Sequence, residues 1–244
     1  MMVDKTALHA RGSGTLWLVV PAAGRGTRMR AERPKQYLEL DGRPVIVHTL
    51  AKLHDAWPQA RLMLCLDEQD VWFEEGYVPF DHWQRVTGGN ERADSVLNAL
   101  MAMQEHAHAD DWVLVHDVAR PCVHVDDLHN FHASVIKDEV GGLLAAPVAD
   151  TMKRQDHAQR VACTEPRDGL WHALTPQAFR YGLLHEALLT ARRAGHTITD
   201  EASAIEAFGL APKLVPGRRD NLKITHPEDL ALARWIINAQ RDDT

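Results

Sequence analysis

A short apolar run followed by a basic, glycine-containing turn limits the possible folds of this chain more than any other feature. Residues 16–20 are Leu-Trp-Leu-Val-Val, a run without polar alternation. Such a run is typical of a strand that is buried on both faces of a parallel sheet. The next segment, residues 21–35, reads PAAGRGTRMRAERPK. Because small residues after a buried strand let backbone N–H groups approach an anion, this segment predicts a phosphate-binding turn.

The charge of this turn is opposite to that of the whole chain, which carries a net charge of −7. The basic residues of the turn are Arg25, Arg28, Arg30, Arg33 and Lys35, against the single acidic residue Glu32. A dinucleotide fingerprint is excluded because it needs glycine at the position of Met29, and no Walker sequence is present. The turn is therefore predicted to bind a polyanion such as a nucleoside triphosphate. The alternative is an ordinary tight turn before a solvated basic stretch.

Composition excludes several other classes of protein. An acidic chain is not expected to bind nucleic acid or an anionic membrane in general. The chain has no apolar run near the about 18–20 residues of a membrane span. Residues 1–14 lack the apolar region of a signal peptide and are expected to form a disordered tail. Cys65, Cys122 and Cys163 lack metal-site spacing, so reduced thiols in a cytoplasmic protein are expected.

Apolar runs alternate with helical patterns along the chain. The predicted strands are 16–20, 61–66, 112–116, 143–148 and 213–215. The predicted helices are 44–54, 91–104, 126–136, 181–194, 200–208 and 226–239. This alternation predicts an α/β fold with a mostly parallel sheet and helices on both faces. Ligands of such sheets bind at the carboxyl ends of strands, where the first turn and Asp117 would meet.

One polar segment does not fit this core. Residues 150–169 contain eight charged residues in twenty and little apolar periodicity, so they cannot be buried within one subunit. They are expected to form a long surface loop or an extended hairpin arm that leans on another subunit. Helix ends are also marked in the sequence. Thr225 and Glu228 resemble a capping box for the last helix, and Asp200 and Gly209 are predicted to begin and end the helix before it.

Six segments closely resemble the 2-C-methyl-D-erythritol 4-phosphate cytidylyltransferase family. In chain order they are PAAGRGTRM…PKQYL, GGNERADSV, VHDVARP, LTPQAF, TDEASA and DNLKIT. The resemblance covers roughly residues 16–237 and implies one Rossmann-like nucleotidyltransferase domain over 15–240, with a projecting β-arm at about 148–172. It implies an enzyme that makes 4-diphosphocytidyl-2-C-methyl-D-erythritol and pyrophosphate from CTP and a polyol phosphate, with Mg²⁺. It also implies a homodimer in which each arm reaches the site of the other subunit.

The same resemblance implies roles for individual residues. Catalytic roles are implied for Arg28 and Lys35. The residues implied in CTP binding are Pro21, Ala22, Ala23, Gly24, Gly26, Gly89, Asn90, Ser95 and Asp117. The residues implied in positioning the acceptor are Thr151, Arg167, Thr175, Thr199 and Lys223. No firm metal ligand is implied, although Asp117 could coordinate Mg²⁺ through water.

Some alternatives remain open at this level. Many members of the family have aspartate at the position of Asn90, which weakens the prediction that this side chain reads the base. Arg92 and Asp94 could form a local ion pair, and Arg120 could be structural. Two other functions also fit the sequence. One is a cytidylyltransferase for another polyol phosphate, such as ribitol 5-phosphate, and the other is a non-catalytic nucleotide-binding regulator.

Overall fold

The apolar run near the start of the chain forms a buried interior strand of the main sheet. The computed structural model describes residues 14–24, 26, 29 and 31–242. The strands in chain order are β1 (Leu16–Pro21), β2 (Glu39–Leu40), β3 (Arg43–Pro44), β4 (Arg61–Leu66), β5 (Trp83–Thr87), β6 (Trp112–Val115), β7 (Gly141–Pro147), β8 (Met152–Gln155), β9 (Val161–Glu165), β10 (Trp171–Arg180) and β11 (Lys213–Pro216). The helices are α1 (Val45–Ala56), α2 (Arg92–Ala102), α3 (Val125–Val135), α4 (Tyr181–Arg193), α5 (Glu201–Ala207) and α6 (Pro227–Asp242).

Within the described residues, seven strands form one sheet in the order β11-β7-β10-β6-β1-β4-β5. β10 runs antiparallel to both β6 and β7, whereas the other neighbouring strands of this sheet are parallel. β2 pairs with β3, and β8 pairs with β9, as separate antiparallel pairs. The prediction of an α/β fold with a Rossmann-like, mostly parallel sheet and a projecting β-arm is therefore confirmed.

The predicted strands and helices are all present, with ends within three residues of their predicted positions. The strands that were not predicted are β5 and β10 of the main sheet and the two-residue strands β2 and β3. In β5 only Val86 is buried, so its apolar pattern is weak. β10 contains Pro176 and has no regular alternation, since it passes from the base of the arm into the core. Its register with β7 shifts between Ala173 and Gln177, next to that proline.

Both faces of β1 are buried in hydrophobic cores. Leu18 and Val20 of β1 point into one core with α1 and α3. Trp17 and Val19 point into a second core with α2, α4 and α5. This two-sided burial explains why the strand shows no polar alternation. A third cluster packs α6 over the loops that leave the sheet.

The polar segment forms a hairpin on the surface. β8 and β9 pair antiparallel, and their side chains are exposed apart from the half-buried Glu165. Arg154 forms an ion pair with Glu165 across the hairpin, and Lys153 Nζ donates to Thr164 Oγ1 at 2.6 Å. The hairpin thus has its own local contacts, but it adds no buried core to the described part of the subunit.

The caps of the last two helices differ in outcome. Asp200 caps α5 as predicted, accepting from the backbone N–H of Ser203 at 3.0 Å. Gly209 ends that helix with a φ of 87°, also as predicted. The predicted capping box of α6 is wrong. The carboxylate of Asp229 accepts from the N–H groups of Thr225 and His226 at 2.7 and 2.8 Å, and Glu228 takes no part in these bonds.

Candidate functional site

A cavity of about 520 Å³ lies at the carboxyl ends of the parallel strands β1, β4, β5 and β6. Its walls come from the first turn, the loops after β4, β5 and β6, and the segment before α6. The lining residues are Pro21, Ala22, Ala23, Gly24, Lys35, Gln36, Asp67, Gly89, Asn90, Glu91, Arg92, Ser95, Asp117, Val118, Ala119 and Lys223. An open α/β sheet is expected to bind its ligand at this edge.

The first turn is held against the sheet by backbone and side-chain hydrogen bonds. The N–H of Ala22 donates to the carbonyl of Cys65 at 2.8 Å. The buried Gln36 donates from Nε2 to the carbonyl of Ala22 at 2.6 Å. Gly26 has a φ of 60°, and a Cβ there would lie 3.0–3.2 Å from side-chain carbons of Lys35. Arg28, the second predicted catalytic residue, lies outside the described residues.

Lys35 and Lys223 border the same cavity. Lys35 begins a short 3-10 helix after the first turn, and its Nζ donates to the carbonyl of Ile224 at 2.8 Å. This bond joins two segments that are 189 residues apart in sequence. It brings the basic turn of the sequence against the residue that follows Lys223.

The loop after β5 packs closely against the first turn. A Cβ at Gly88 would lie 2.2 Å from the Cβ of Ala23, and a Cβ at Gly89 would lie 2.2 Å from the Cβ of Asp94. Both positions therefore need glycine for close approach. Ser95 Oγ accepts from the N–H of Gly89 at 3.0 Å. Ser95 thus holds this loop, while the exposed Asn90 lies on the cavity wall.

Asp117 is the centre of a buried ion-pair network. Its Oδ1 accepts from Arg92 Nε at 2.7 Å, and its Oδ2 lies 2.8 Å from Lys223 Nζ and 3.6 Å from Arg120 Nε. Burial alone would raise the pKa of this carboxyl group, but Arg92 and Lys223 outweigh it and hold that pKa well below its usual range. Asp117 is therefore ionised at any pH at which the protein functions.

Arg92 joins this network to α5. Its Nη1 and Nη2 donate to the two carboxylate oxygens of Glu201 at 2.6 and 2.9 Å. Burial lowers the pKa of the guanidinium, but Glu201 and Asp117 more than offset this and raise it. The alternative of a local Arg92–Asp94 ion pair, left open from the sequence, is not the arrangement observed. Asp94 instead accepts from the N–H of Glu91 in the capping box of α2.

A series of hydrogen bonds through His116 and Thr175 holds the backbone of Asp117. His116 is fully buried, and its Nε2 lies 3.3 Å from the carbonyl of Arg120, to which it must donate. Its Nδ1 then accepts the hydroxyl of Thr175 at 3.1 Å. Thr175 Oγ1 in turn accepts the N–H of Asp117 at 3.1 Å. Burial lowers the pKa of His116 to about 4, so the ring stays neutral and this series of bonds remains satisfied.

Arg120 ties the loop after Asp117 to the segment before α6. Its Nη1 donates to the carbonyl of Asn221 at 2.7 Å, and the Asn221 amide donates to the carbonyl of Thr175 at 2.8 Å. These two hydrogen bonds favour a structural role for Arg120, the possibility that the sequence left open. Sequence analysis gave no role to Asn221, because nothing local indicates that it meets the strand of Thr175.

The residues predicted to position the acceptor lie in four places. Lys223 borders the cavity, and Thr175 lies buried beneath Asp117. Thr199 is exposed just before α5, with its N–H donating to Ser203 Oγ at 3.2 Å. Thr151 and Arg167 lie at the base of the hairpin, outside the cavity of this subunit, and Arg167 Nη1 donates to the carbonyl of Ala149.

Three buried contributors to the site were missed from the sequence: Gln36, Glu201 and Asn221. Glu201 directly follows the N-cap of α5, where an acidic residue is expected merely to favour the helix dipole. Only its burial, with 1% exposed surface, reveals a different role.

The site offers little to a metal ion without a substrate. In residues 14–24, 26, 29 and 31–242 no group of three His, Cys, Asp or Glu side chains is placed to hold a metal. Asp117 and Asp67 are carboxylates that line the cavity.

The same described part of the chain contains no helix that is long and apolar enough to cross a membrane.

Sequence comparisons point to one family. The family model for 2-C-methyl-D-erythritol 4-phosphate cytidylyltransferase matches residues 16–239. The chain is 63% identical over 222 residues to the protein of that name from Chromohalobacter salexigens, covering 91% of this chain and 89% of that protein. It is 52% identical over 233 residues to the one from Dechloromonas aromatica, covering 92% and 98%.

Comparison with solved structures agrees. A 4-diphosphocytidyl-2C-methyl-D-erythritol synthase is similar to this chain with a TM-score of 0.80 and 33% identity, covering 93% of this chain and 100% of that one. The 2-C-methyl-D-erythritol 4-phosphate cytidylyltransferase of Francisella tularensis is similar with a TM-score of 0.78 and 33% identity, covering 91% and 99%.

Proposed function

Because the chain belongs to the 2-C-methyl-D-erythritol 4-phosphate cytidylyltransferase family, we propose that CTP binds in its cavity along the first turn. The chain is an enzyme that transfers the cytidylyl group of CTP to 2-C-methyl-D-erythritol 4-phosphate and releases pyrophosphate. The two alternative functions considered from the sequence have no support in the comparisons. We further propose which residues act in this reaction, how its metal ion binds and how the chain assembles.

The reaction needs positioning and charge more than acid–base chemistry. An oxygen of the acceptor phosphate attacks the α-phosphorus of CTP in line, and pyrophosphate leaves. Because the attacking oxygen already carries negative charge at neutral pH, no general base is required. Catalysis then depends on holding the two anions together and on stabilising the charge that develops at phosphorus.

One observation carries the proposed assignment of charges. Lys35 Nζ bonds to the carbonyl of Ile224, so the basic turn and Lys223 border one cavity. We assign Lys35, together with Arg28 of the same turn, to the phosphates of CTP. We assign Lys223 to the acceptor phosphate on the opposite side of the reacting centre.

The loop after β5 is assigned to the cytosine ring. Gly88 leaves room for close approach to Ala23 of the first turn, Gly89 leaves room for close approach to Asp94, and Ser95 fixes the N–H of Gly89. The Asn90 side chain on the cavity wall can both donate and accept hydrogen bonds, as a pyrimidine edge requires. The backbone of Pro21, Ala22, Ala23 and Gly24 is assigned to the nucleotide from the other wall.

Mg²⁺ is proposed to bind mainly through the phosphates of CTP. The donors present fit this role, because Mg²⁺ keeps several waters and commonly takes only one or two carboxylates beside substrate phosphates. Asp117 would approach it through water. When bound, the ion neutralises phosphate charge. The proposed compartment is the cytoplasm, where the three cysteines would stay as the thiols that the structure contains.

A homodimer is proposed from the position of the arm, residues 148–172. Thr151 and Arg167 are exposed there and lie outside the cavity of their own subunit. Met152 and Val161 are apolar side chains on the surface of the same hairpin, exposed by 36% and 64%. Insertion of the arm into a second subunit would cover these side chains and bring Arg167 to the acceptor phosphate.

The first experiment measures pyrophosphate release from CTP and Mg²⁺ with 2-C-methyl-D-erythritol 4-phosphate, and with ribitol 5-phosphate as a second acceptor. We expect release with the first acceptor alone. Lys35→Ala should lower kcat/KM by about 10²–10³, as removal of one charge-stabilising donor does elsewhere. The exposed Lys137→Ala is the matched control and should leave the rate unchanged. Release with ribitol 5-phosphate alone would contradict the proposal.

Complementation between two inactive variants tests the shared site. Arg167→Ala and Lys223→Ala are expected to be nearly inactive alone. If Arg167 acts in the site of the partner, random mixing makes half of the dimers mixed, each with one intact site, and restores about a quarter of wild-type activity. If both residues serve the site of their own subunit, mixing restores nothing.

A further inference from the structure

Glu201 is a buried carboxylate that the reaction above does not use. It lies at the start of α5 with 1% of its surface exposed, and both its oxygens accept hydrogen bonds from Arg92. A charge in such a place is costly unless a partner of opposite charge compensates it with good geometry. Glu201 therefore depends on its partner Arg92, and the side chain of Arg92 lines the cavity.

The geometry of Arg92 transmits the position of Glu201 to Asp117. The guanidinium is planar, so fixing Nη1 and Nη2 also fixes the direction in which Nε donates. That Nε donates to Oδ1 of Asp117 at 2.7 Å. Oδ2 of the same carboxylate lies 2.8 Å from Lys223 Nζ. The four side chains thus form one continuous chain from α5 to the cavity.

The start of α5 is itself fixed to the sheet. Gln177 of β10 is buried, and its Oε1 accepts the N–H of Ala202 at 2.8 Å. Its Nε2 donates to the carboxylate of Asp200, the N-cap residue, at 2.8 Å. The residues on both sides of Glu201 are therefore held by one side chain of the sheet, which makes Glu201 a rigid anchor for Arg92.

We propose that Glu201 is a positioning residue for the transfer reaction, which orients Lys223 toward the acceptor phosphate through Arg92 and Asp117. The proposal rests on the assignment of Lys223 to that phosphate. Without the carboxylate of Glu201, the guanidinium of Arg92 loses its bidentate partner and turns both edges to Asp117. It then competes with Lys223 for the same carboxylate, and the ammonium group loses its fixed position.

Glu201→Gln tests this directly, since it keeps the size of the side chain and removes its charge. We expect kcat/KM for the acceptor to fall by roughly 10²-fold, as displacement by about 1 Å at a distance from the chemistry can cause. The KM of the acceptor should rise and kcat should fall, while the KM of CTP changes by less than about twofold, which assigns the loss to the acceptor side of the site and to the transition state as well as to binding. Glu206→Gln, an exposed change of the same kind on the same helix, should change neither.

A double-mutant cycle separates positioning from general damage. In a Lys223→Ala background, Glu201→Gln should lower kcat/KM by less than about threefold, because its effect acts through Lys223. An equal loss in both backgrounds, or equal rises in the KM of both substrates, would overturn the proposal. If thermal unfolding shows that Glu201→Gln does not fold, Glu201→Asp keeps the charge but is too short for the same bidentate pair.

The outcome is separable from that of the proposed function. An inactive wild-type enzyme with 2-C-methyl-D-erythritol 4-phosphate would contradict the proposed function. An active wild type whose kinetics are matched by Glu201→Gln would contradict the role of Glu201 alone.

Discussion

The network around Asp117 and the arm are both rich in charge, yet their surroundings are opposite. Asp117, Arg120 and Glu201 are buried, and each is paired with a group of opposite charge within the described residues. The side chains of the hairpin are exposed apart from the half-buried Glu165, which pairs with the exposed Arg154. Charged residues of the same types therefore have different structural roles in the two regions. Buried pairs fix geometry, whereas exposed pairs leave the segment compatible with water.

The physical reason is the cost of removing a charge from water. A buried ion must be paired, and loss of one partner leaves the other uncompensated. A surface pair gains little, because water and salt screen it. The comparison predicts large effects for changes around Asp117 and small effects of the same chemical change on the hairpin.

The largest effect is expected for Asp117→Asn. It leaves Arg92, Arg120 and Lys223 without their shared carboxylate, so unfolding free energy should fall by about 3–5 kcal/mol. We expect kcat/KM to fall by at least about 10² in the same variant. Urea unfolding and pyrophosphate release measure the two effects. Asp55→Asn, an exposed change on α1, should alter stability by less than about 0.5 kcal/mol. Equal effects of the two variants would show that burial of the network does not decide its contribution to stability.

The next effect concerns His116 and pH. Its folded pKa is lowered to about 4 from 6.5, so the unfolded chain binds more protons between these values. Stability should therefore be full above pH 6.5 and fall as the pH drops toward 4, by on the order of a few kcal/mol. Urea unfolding across this range measures the slope. His116→Gln should be less stable at neutral pH but show a shallower slope. An unchanged slope would assign the pH dependence to other groups.

A smaller effect is expected on assembly. Val161→Glu places a charge on the apolar surface of the arm and should raise the dimer dissociation constant by at least about tenfold, which corresponds to about 1.4 kcal/mol. Thermal unfolding of the subunit should not change, since the side chain is exposed. Sedimentation velocity measures the association. Val71→Glu, which is 84% exposed and distant from the hairpin in sequence, is the control. A wild-type protein that stays monomeric at all concentrations would contradict the proposed dimer.

The smallest effect is expected on the hairpin when the same chemical change, arginine to lysine, is made there and in the buried network. Arg154→Lys on the hairpin should leave the unfolding temperature unchanged, because its ion pair is exposed. Arg92→Lys should lower it clearly, because an ammonium group cannot serve Glu201 and Asp117 at once. Differential scanning calorimetry of both variants gives the answer. Similar shifts at the two positions would mean that burial does not decide the value of these pairs.

Much of the fold could be predicted because its signals are local. The uniform apolar run of β1, the capping residue Asp200 and the C-terminal Gly209 each act within a few residues of the chain. The misses have equally specific causes. β10 crosses from the arm into the core and so changes its pattern midway. In α6 two acidic residues, Glu228 and Asp229, compete as caps, and side-chain direction decides in favour of Asp229.

The candidate site divides in the same way. The first turn, the glycines after β5 and the motif at Asp117 could be found from the sequence, because they line the edge to which parallel strands bring their ends. The supporting residues could not. Gln36 and Asn221 look like ordinary polar residues in the sequence, and only burial shows that they hold loops of the site.

The α/β fold, the turn after β1 and the surface position of residues 150–169 follow from the sequence alone, since periodicity, turn chemistry and polarity act over short distances. The pairing of distant charged and polar groups in the site depends on the tertiary structure. Arg92 and Glu201 are 109 residues apart, and Thr175 and the N–H of Asp117 are 58 apart. Such pairs exist because the sheet order places β10 beside β6 and brings the start of α5 to that of α2, and no local pattern encodes that meeting.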